Sequence, residues 1–257
     1  MKRPCVIVTR PRGQATAWVQ ALADQGLQAR SLPLIDIAPA PDPAAVHQAW
    51  ERLAWLDFVM FVSANAVEHF FALRPADAHW PPGLRAGCTG PGTAAALRTC
   101  GLSPQAIAQP APGEPSESEA LWRQLAGQPW GGRRVLVVRG EDGRDWLAQQ
   151  FDRAGAKVEF LAAYQRCAPA LDPPALQLLA AAVADPASHV WLFSSSEAVV
   201  RLRAMAPGAD WSVGRAVATH ARIADAARAA GFAQVRLAQP ELQAVVACCA
   251  HLESCGW

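Results

Sequence analysis

The sequence predicts an α/β protein that consists of two copies of one unit, each a parallel sheet flanked by helices. Short apolar runs, many of them β-branched, alternate with longer helical stretches along the chain, which is typical of parallel sheets. The first run, at 6–10, returns at 135–139 with similar residues, and the proline-containing segments at 38–43 and 168–173 are also alike. Internal repetition of this kind indicates duplication.

The similarity between the halves continues in the same order along the chain. Residues 58–63 correspond to 190–195, and residues 86–89 correspond to 216–219. So many ordered matches indicate that the chain arose by duplication. The strands of the first half are predicted near 5–10, 30–36, 57–62, 84–88 and 105–108, and those of the second half near 134–139, 158–164, 189–194, 215–219 and 234–237.

Composition is that of a globular protein. The chain has 257 residues, of which 52% are hydrophobic and 18% are charged, with a net charge of +1, so a disordered chain is excluded. The longest apolar stretch, at 175–184, is too short to cross a bilayer, and the N-terminus shows no apolar signal region. The seven cysteines have irregular spacing, which predicts reduced thiols in a cytoplasmic protein and no metal site.

Six turns that follow predicted strands are rich in Ser, Thr, Gly and Arg. In open α/β sheets, ligands bind beyond the carboxyl ends of the strands, where helix N-termini offer free N–H groups. No turn has the Walker or the Gly-x-Gly-x-x-Gly spacing, so a nucleotide site lacks its motif. Anion binding through main-chain amides remains open. The turns are 9–13, 63–65, 89–93, 139–143, 194–197 and 219–222.

Each turn taken singly also has a structural explanation. Ser194 and Glu197 have the spacing of a capping box, and so do Ser116 and Glu119 outside these turns. The functional interpretation therefore depends on all six turns facing one cleft between two duplicated lobes.

Two side chains in or next to these turns, Tyr164 and His220, are candidates for proton transfer. Tyr164 is the only tyrosine of the chain and ends a predicted strand. It is either an aromatic residue at a sheet edge or a phenol donor at the mouth of the cleft. His220 is the only histidine in one of the turns, and it is equally consistent with a helix N-terminus that has no chemical role.

A set of short segments along the chain resembles one family. They are 8–11, 61–67, 90–94, 137–140 with 143–144, 163–166, 193–195 and 220–224. Each segment is degenerate, but their order and spacing together resemble the uroporphyrinogen-III synthase family over essentially the whole chain. At Ile223 the sequence departs from the family pattern, in which a small hydroxyl residue is frequent.

This resemblance implies an exchanged domain arrangement that the repeat alone does not predict. The repeat would divide the chain near residue 130. The family's fold has two domains joined by a two-stranded linker, which here implies one domain of residues 1–36 and 172–257 and another of residues 43–164. The linkers would then be residues 37–42 and 165–171.

The resemblance also implies the reaction and its residues. Hydroxymethylbilane would lose its hydroxyl as water to leave an azafulvene, and attack at ring D would give a spiro intermediate that fragments and recloses with ring D inverted. Tyr164 matches the tyrosine proposed to assist hydroxyl departure. Main-chain amides and hydroxyls of the six turns would hold the substrate's carboxylates, at Arg10, Ser63, Ala64, Asn65, Gly92, Thr93, Arg139, Ser194, Ser195, His220 and Ile223.

The same interpretation predicts a cytoplasmic monomer that acts on a small molecule without metal, cofactor, nucleic acid or membrane. Two alternatives stay open on the sequence. The first is a two-lobed α/β sensor that binds an anionic ligand without catalysis. The second is a flavodoxin-like redox domain, although the first turn lacks the Ser/Thr-rich phosphate loop that flavin binding would need.

Overall fold

The protein divides into two compact units. The computed structural model describes residues 4–115, 117–141 and 143–254. Unit 1 comprises Met1–Asp36 and Cys167–Trp257, and unit 2 comprises Ile37–Arg166. The Ser116 cap predicted from the sequence lies outside the described residues.

Strands and helices alternate along the described chain. The strands are β1 (Cys5–Val8), β2 (Ala29–Ser31), β3 (Asp36–Pro39), β4 (Phe58–Phe61), β5 (Arg85–Cys88), β6 (Ile107–Ala108), β7 (Arg134–Gly140), β8 (Lys157–Cys167), β9 (His189–Phe193), β10 (Arg215–Ala218) and β11 (Gln234–Leu237). The helices are α1 (Arg12–Asp24), α2 (Pro43–Glu51), α3 (Ala64–Ala72), α4 (Pro91–Thr99), α5 (Ser118–Leu125), α6 (Trp146–Arg153), α7 (Pro173–Ala184), α8 (Ser196–Met205), α9 (Ala221–Ala229) and α10 (Leu242–Ser254).

Each unit contains one sheet that mixes strands from both halves of the sequence. The described residues of unit 1 form a sheet in the order β11-β10-β9-β1-β2, and its strand pairings are parallel. In unit 2 the order is β3-β8-β7-β4-β5-β6, and the pairings from β8 to β6 are parallel. The predicted α/β class with parallel sheets and helices is therefore confirmed.

Burial on both faces explains the apolar strands at the centre of each sheet. All four residues of β4 are buried, and they alternate between two core clusters: Val59 and Phe61 pack in one, and Phe58 and Met60 in the other. A strand whose two faces are both covered has a continuous apolar run because successive side chains point to opposite faces.

The prediction of a single strand near 30–36 is wrong. The structure has two strands there, β2 ending at Ser31 and β3 beginning at Asp36. Pro33 lies between them and has no N–H to donate, so it interrupts the ladder. The segment remains in the core, since Leu32 and Leu34 are both buried.

The chain is paired where the sequence predicted linkers. Strand β3 includes residues 37–39, and β8 continues through residues 165–167 at its side in the same sheet. The boundaries between the two units fall within these two strands. The finer assignment of linkers to 37–42 and 165–171 stays a prediction.

Candidate active site

In each sheet, three of the predicted turns follow neighbouring parallel strands and lie at the same edge. In unit 2 the neighbouring strands β7, β4 and β5 lead into the turns at 139–143, 63–65 and 89–93; residue 142 lies outside the described residues. The chain runs outward from β4 to β5 on one side and from β7 to β8 on the other. The boundary between β4 and β7 is therefore a topological switch point, where ligands of open α/β sheets bind.

Ser63 lies at this switch point and caps the helix that follows β4. It is the N-cap residue of α3, and its Oγ accepts a hydrogen bond of 3.1 Å from the Ala66 N–H. Such a cap satisfies one of the N–H groups that a helix start leaves unpaired. The same Oγ lies 3.2 Å from the phenol oxygen of Tyr164, so the serine joins two elements of the site.

Tyr164 is directed into the site by a bulge in β8. The register pairs Arg139 with Ala162 but Gly140 with Tyr164, which inserts one extra residue, Ala163, into β8. Ala163 and Tyr164 are adjacent, yet both belong to the same core cluster. A bulge redirects a side chain in this way because it interrupts the alternation of faces.

The ring of Tyr164 is tightly enclosed. It is 1% exposed, so the ring is buried within unit 2. The ring of His69 stacks against it, with 6.0 Å between the ring centroids and 29° between the ring planes. On another side lies Gly140, where a Cβ atom would be 3.1 Å from Cε2 and from Cζ of the tyrosine. The Tyr164 ring can therefore occupy this position because Gly140 has no side chain.

The other predicted residues of unit 2 lie at the starts of helices. Ala64 and Asn65 are the first two residues of α3, and Gly92 and Thr93 are the second and third of α4. Thr93 is buried, whereas nothing lies within 4 Å of a Cβ atom built on Gly92. The backbone at Gly92 is thus open to a close approach.

Unit 1 repeats the arrangement with β10, β9 and β1 as the neighbouring strands. Their turns, 219–222, 194–197 and 9–13, lie at the carboxyl edge of its sheet. Thr9 joins the 9–13 turn to the neighbouring strand β9, since its Oγ1 donates a hydrogen bond of 2.7 Å to the Leu192 carbonyl. The switch point of this sheet lies between β1 and β9, which places Arg10 next to the 194–197 turn.

Arg10 is a partly buried cation without a carboxylate partner among the described residues. Its Nη1 donates to the Gln14 side chain at 3.2 Å, and its guanidinium lies 4.1 Å above the Trp18 ring. Its Nε is buried without a hydrogen-bond partner. Burial lowers the pKa of Arg10 to about 10, because desolvation disfavours the charged form.

The remaining predicted residues of unit 1 are mainly helix caps. Ser195 is the N-cap of α8, where its Oγ accepts from the Glu197 N–H at 3.2 Å. The capping box predicted at Ser194 and Glu197 is therefore wrong by one residue, and Ser194 follows β9 directly. His220 is the N-cap of α9 through its Nδ1. Ile223 is 7% exposed, and its N–H donates to the His220 carbonyl, so its own groups are occupied within the helix.

Comparison with known proteins decides the family. The model of the family described as HEM4, uroporphyrinogen-III synthase HemD, matches residues 16–247. The chain belongs to the uroporphyrinogen-III synthase family.

Relatives and a solved structure agree with this family. The uroporphyrinogen-III synthase of Salmonella typhimurium is 33% identical over 63% of this chain and 65% of its own length, slightly less than two thirds. That of Proteus mirabilis is 31% identical over 63% of this chain and 79% of its own. The fold is similar to a mutant uroporphyrinogen III synthase from Thermus thermophilus, with a TM-score of 0.64, 17% identity and coverage of 98% of this chain and 99% of the other.

Within this uroporphyrinogen-III synthase family member, the two copies of the turn arginine have diverged. Arg139 corresponds to Arg10 in the repeat, but it forms an ion pair with Asp145 and lies 4.4 Å above the Phe160 ring. From the sequence, the same role in substrate binding was expected for both arginines, because the motif around each is similar. The difference arises six residues later, where Asp145 follows Arg139 and no acidic residue follows Arg10 at that distance.

Two contributors to the site were not predicted from the sequence. Gly140 entered the sequence analysis only as part of the 139–143 turn, and His69 was not singled out there. The signal for Gly140 was a glycine inside a strand, which often marks a close approach. His69 lies six residues after Ser63, and nothing in that spacing indicates contact with Tyr164.

The described part of the chain has neither a metal-binding cluster nor a membrane-spanning helix. Within residues 4–115, 117–141 and 143–254, no group of three or more His, Cys, Asp and Glu side chains is placed to hold a metal ion. None of the helices there combines the length and the apolar character needed to span a bilayer.

Proposed function

We propose that this chain converts hydroxymethylbilane into uroporphyrinogen III, a step of haem biosynthesis, with loss of water and inversion of ring D. Membership of the uroporphyrinogen-III synthase family and the names of its relatives support the reaction. The observation that carries the proposal is the contact of 3.2 Å between the Tyr164 phenol and the Ser63 hydroxyl at the carboxyl edge of a parallel sheet.

Loss of water needs a proton for the leaving hydroxyl. Tyr164 donates its phenolic proton to that oxygen, the C–O bond breaks, and the pyrrole nitrogen supplies the electron pair that forms the new C=C bond. The resulting cation loses its N–H proton to the phenolate, which leaves a neutral azafulvene and restores the phenol. Protons and electrons balance without another reactant. General acid assistance of this type contributes roughly 10²–10⁴-fold to a rate.

Access to the phenol agrees with such a role. The ring is buried, but only its oxygen must reach the substrate, and Ser63, which contacts this oxygen, is partly exposed. Because the ring is enclosed by neighbouring groups, the oxygen is held in one direction. Fixed donors of this kind lower a barrier because they need no reorganisation during the reaction.

Closure of the ring to the inverted isomer requires the protein to position the substrate. The bilane closes without help to the other isomer, so the protein must fold the chain into the spiro geometry. Arg10 supports this role, because a desolvated guanidinium without a carboxylate partner among the described residues is available to a carboxylate ligand. We infer that the remaining carboxylates bind at the turns, through Ala64, Asn65, Gly92, Thr93, Arg139, Ser194, Ser195 and His220. Ile223 is not included, because its N–H already donates to the His220 carbonyl and its side chain is apolar.

We also infer the setting of the reaction. The protein acts in the cytoplasm as a monomer on a small molecule, with neither nucleic acid nor cofactor. Its domains are residues 1–36 with 172–257, and residues 43–164, connected by residues 37–42 and 165–171. These inferences rest on the family resemblance and on the sequence motifs, and a size measurement in solution tests the monomer.

Complementation tests the proposed function in a cell. A bacterial strain that lacks its own uroporphyrinogen-III synthase should grow without added haem when it expresses this chain. The matched control is the empty vector in the same strain. Expression of folded protein without restored growth would contradict the proposal, and would leave an anion-binding module as the alternative.

A further inference from the structure

We propose that Ser63 acts on the reaction through Tyr164, as a positioning residue for the phenolic proton, and not as a direct ligand of the substrate. This inference rests on the proposed function, since it concerns the proton that Tyr164 donates. It changes the role of a residue that the family resemblance assigned to carboxylate binding. The Ser63 hydroxyl can form hydrogen bonds beyond the one by which it caps α3.

A serine hydroxyl has one proton to donate and two lone pairs to accept with. One lone pair of Ser63 is already occupied, because its Oγ accepts from the Ala66 N–H at 3.1 Å. This bond also fixes the position of the oxygen at the start of α3. One proton and one lone pair remain, and the group within reach of both is the Tyr164 phenol at 3.2 Å.

The phenol depends on this serine for its hydrogen bonding. Within the part of the chain that the structure describes, the Tyr164 phenol has no hydrogen-bond partner other than Ser63. The tyrosine ring is buried while Ser63 is partly exposed, so a ligand that approaches beside Ser63 can compete with it for the phenol. A buried hydroxyl without a partner destabilises the folded protein, which is why the pair forms in the free protein.

The pair has two arrangements that differ in the direction of one hydrogen bond. In the first, the phenol donates to Ser63, and its proton is held away from any other acceptor. In the second, Ser63 donates to the phenol oxygen, and the phenolic proton is free to point at a ligand. A phenol is the stronger acid of the two, so the first arrangement is favoured until a substrate hydroxyl offers a competing acceptor.

The second arrangement is the one that the reaction needs. When the phenolic proton moves to the leaving hydroxyl, negative charge develops on the tyrosine oxygen. Ser63 then donates its own proton in a hydrogen bond to that oxygen, and hydrogen bonds to charged groups are the stronger ones. The bond therefore strengthens in the transition state, which is the condition for an effect on turnover.

The duplicated copy supplies a natural comparison. Ser195 corresponds to Ser63 in the repeat and caps α8 as Ser63 caps α3, accepting from the Glu197 N–H at 3.2 Å. Tyr164 is the sole tyrosine of the chain, and its phenol contacts Ser63. The two serines thus share the helix-capping role, and only Ser63 has the phenol as a partner.

The first test observes the hydrogen bond without any assay of activity. Tyrosine labelled with ¹³C at Cζ gives one NMR signal, because the chain has a single tyrosine. Replacement of Ser63 by Ala should move this signal, Ser63→Thr should largely restore it, and Ser195→Ala should leave it in place. An unchanged signal in Ser63→Ala would overturn the proposal at its structural basis.

The second test is a double-mutant cycle on the rate of type III isomer formation. Ser63→Ala should lower kcat about 10- to 100-fold, as expected for a lost hydrogen bond to a charged group, with little change in KM. In a Tyr164→Phe background the same substitution should change kcat less than about twofold, because coupled residues are not additive. The effect of Ser195→Ala, whatever its size, should be the same in both backgrounds.

The outcomes separate this inference from the proposed function. Additive effects of Ser63→Ala and Tyr164→Phe, or an effect of Ser63→Ala confined to KM, would show direct substrate binding by Ser63 and overturn the inference. The wild-type enzyme would still form the type III isomer in that case. No type III isomer from the wild type would instead contradict the proposed function, and with it any role of Ser63 in that reaction.

Discussion

Gly140 approaches the Tyr164 ring so closely that a Cβ atom on the glycine would lie 3.1 Å from both Cε2 and Cζ of the tyrosine. The two residues are paired across β7 and β8, at the position where the register shifts. The orientation of Tyr164 therefore depends on the bulge in β8 and on the absence of a side chain at Gly140 in β7.

Replacement of Gly140 by Ala should move the phenol and lower activity. A methyl group at that distance overpacks the site, which typically costs about 1–3 kcal/mol in the free energy of unfolding. Urea denaturation measures this cost, and the ¹³C signal of Tyr164 reports the displaced ring. Gly92→Ala is the control for stability in the same unit, because nothing lies within 4 Å of its added Cβ. Equal stability of both variants would contradict the packing argument.

Tyr164→Phe should lower turnover substantially without abolishing it. General acid assistance is worth roughly 10²–10⁴-fold, and this leaving group departs readily with help from the pyrrole nitrogen, so about 100-fold or less is expected. The ring is retained, so stability should fall by about 1 kcal/mol for one lost hydrogen bond. The measurement is the initial rate of type III isomer formation, corrected for spontaneous type I isomer. A rate equal to that of the wild type would show that the phenol is not the acid.

Arg10→Met should weaken substrate use while leaving stability unchanged or raised. Burial lowers the pKa of Arg10 to about 10, so the folded protein disfavours the charged form of this side chain. Loss of a hydrogen bond from a charged group to a carboxylate predicts a fall in kcat/KM of roughly 10- to 100-fold.

Arg139→Met is the matched control for that substitution, because Arg139 has a carboxylate partner in Asp145. Its removal should leave stability unchanged or lower it, in contrast to Arg10→Met. Thermal unfolding and steady-state kinetics of both variants provide the comparison. A loss of stability in Arg10→Met with unchanged kcat/KM would make Arg10 a structural residue.

Stability should decline at alkaline pH because of two buried thiols. Burial raises the pKa of Cys88 and of Cys249 from 9.0 to about 12. Above pH 9 these thiols ionise in the unfolded chain but stay protonated in the folded protein, so rising pH favours unfolding. Their contribution is complete below pH 9 and is lost as the pH rises towards 12. Urea denaturation across this range should show a weaker decline in the Cys88→Ala, Cys249→Ala double variant, and an identical decline would contradict the assignment.

The parts of the fold that depend on local pattern could be predicted from the sequence. The strands at 58–61 and 189–193 follow from apolar runs that both faces of a sheet cover. The helix start predicted from Ser194 and Glu197 is one residue early, because Ser195 is the residue that caps α8. The prediction of a single strand at 30–36 was wrong because it gave more weight to the apolar residues of this segment than to Pro33. The proline removes the N–H that the ladder would need.

The relationships that make the site depend on register and on distant partners. Tyr164 meets Ser63 only because a bulge adds one residue to β8, and no periodicity in the sequence reveals a shift of one residue. Arg10 and Arg139 follow similar strands, yet Arg139 has a carboxylate partner and Arg10 has none among the described residues. Such differences follow from side-chain packing, which a motif does not encode.

Isomer analysis of the product tests the central claim most directly. Hydroxymethylbilane is incubated with increasing amounts of the dialysed protein in the presence of a chelator, and the porphyrins are oxidised and separated by isomer. The proposed function predicts that the rate of type III isomer formation rises in proportion to protein concentration, without added metal or cofactor, while the spontaneous type I isomer declines. Type I isomer alone, at a rate independent of protein concentration, would contradict it.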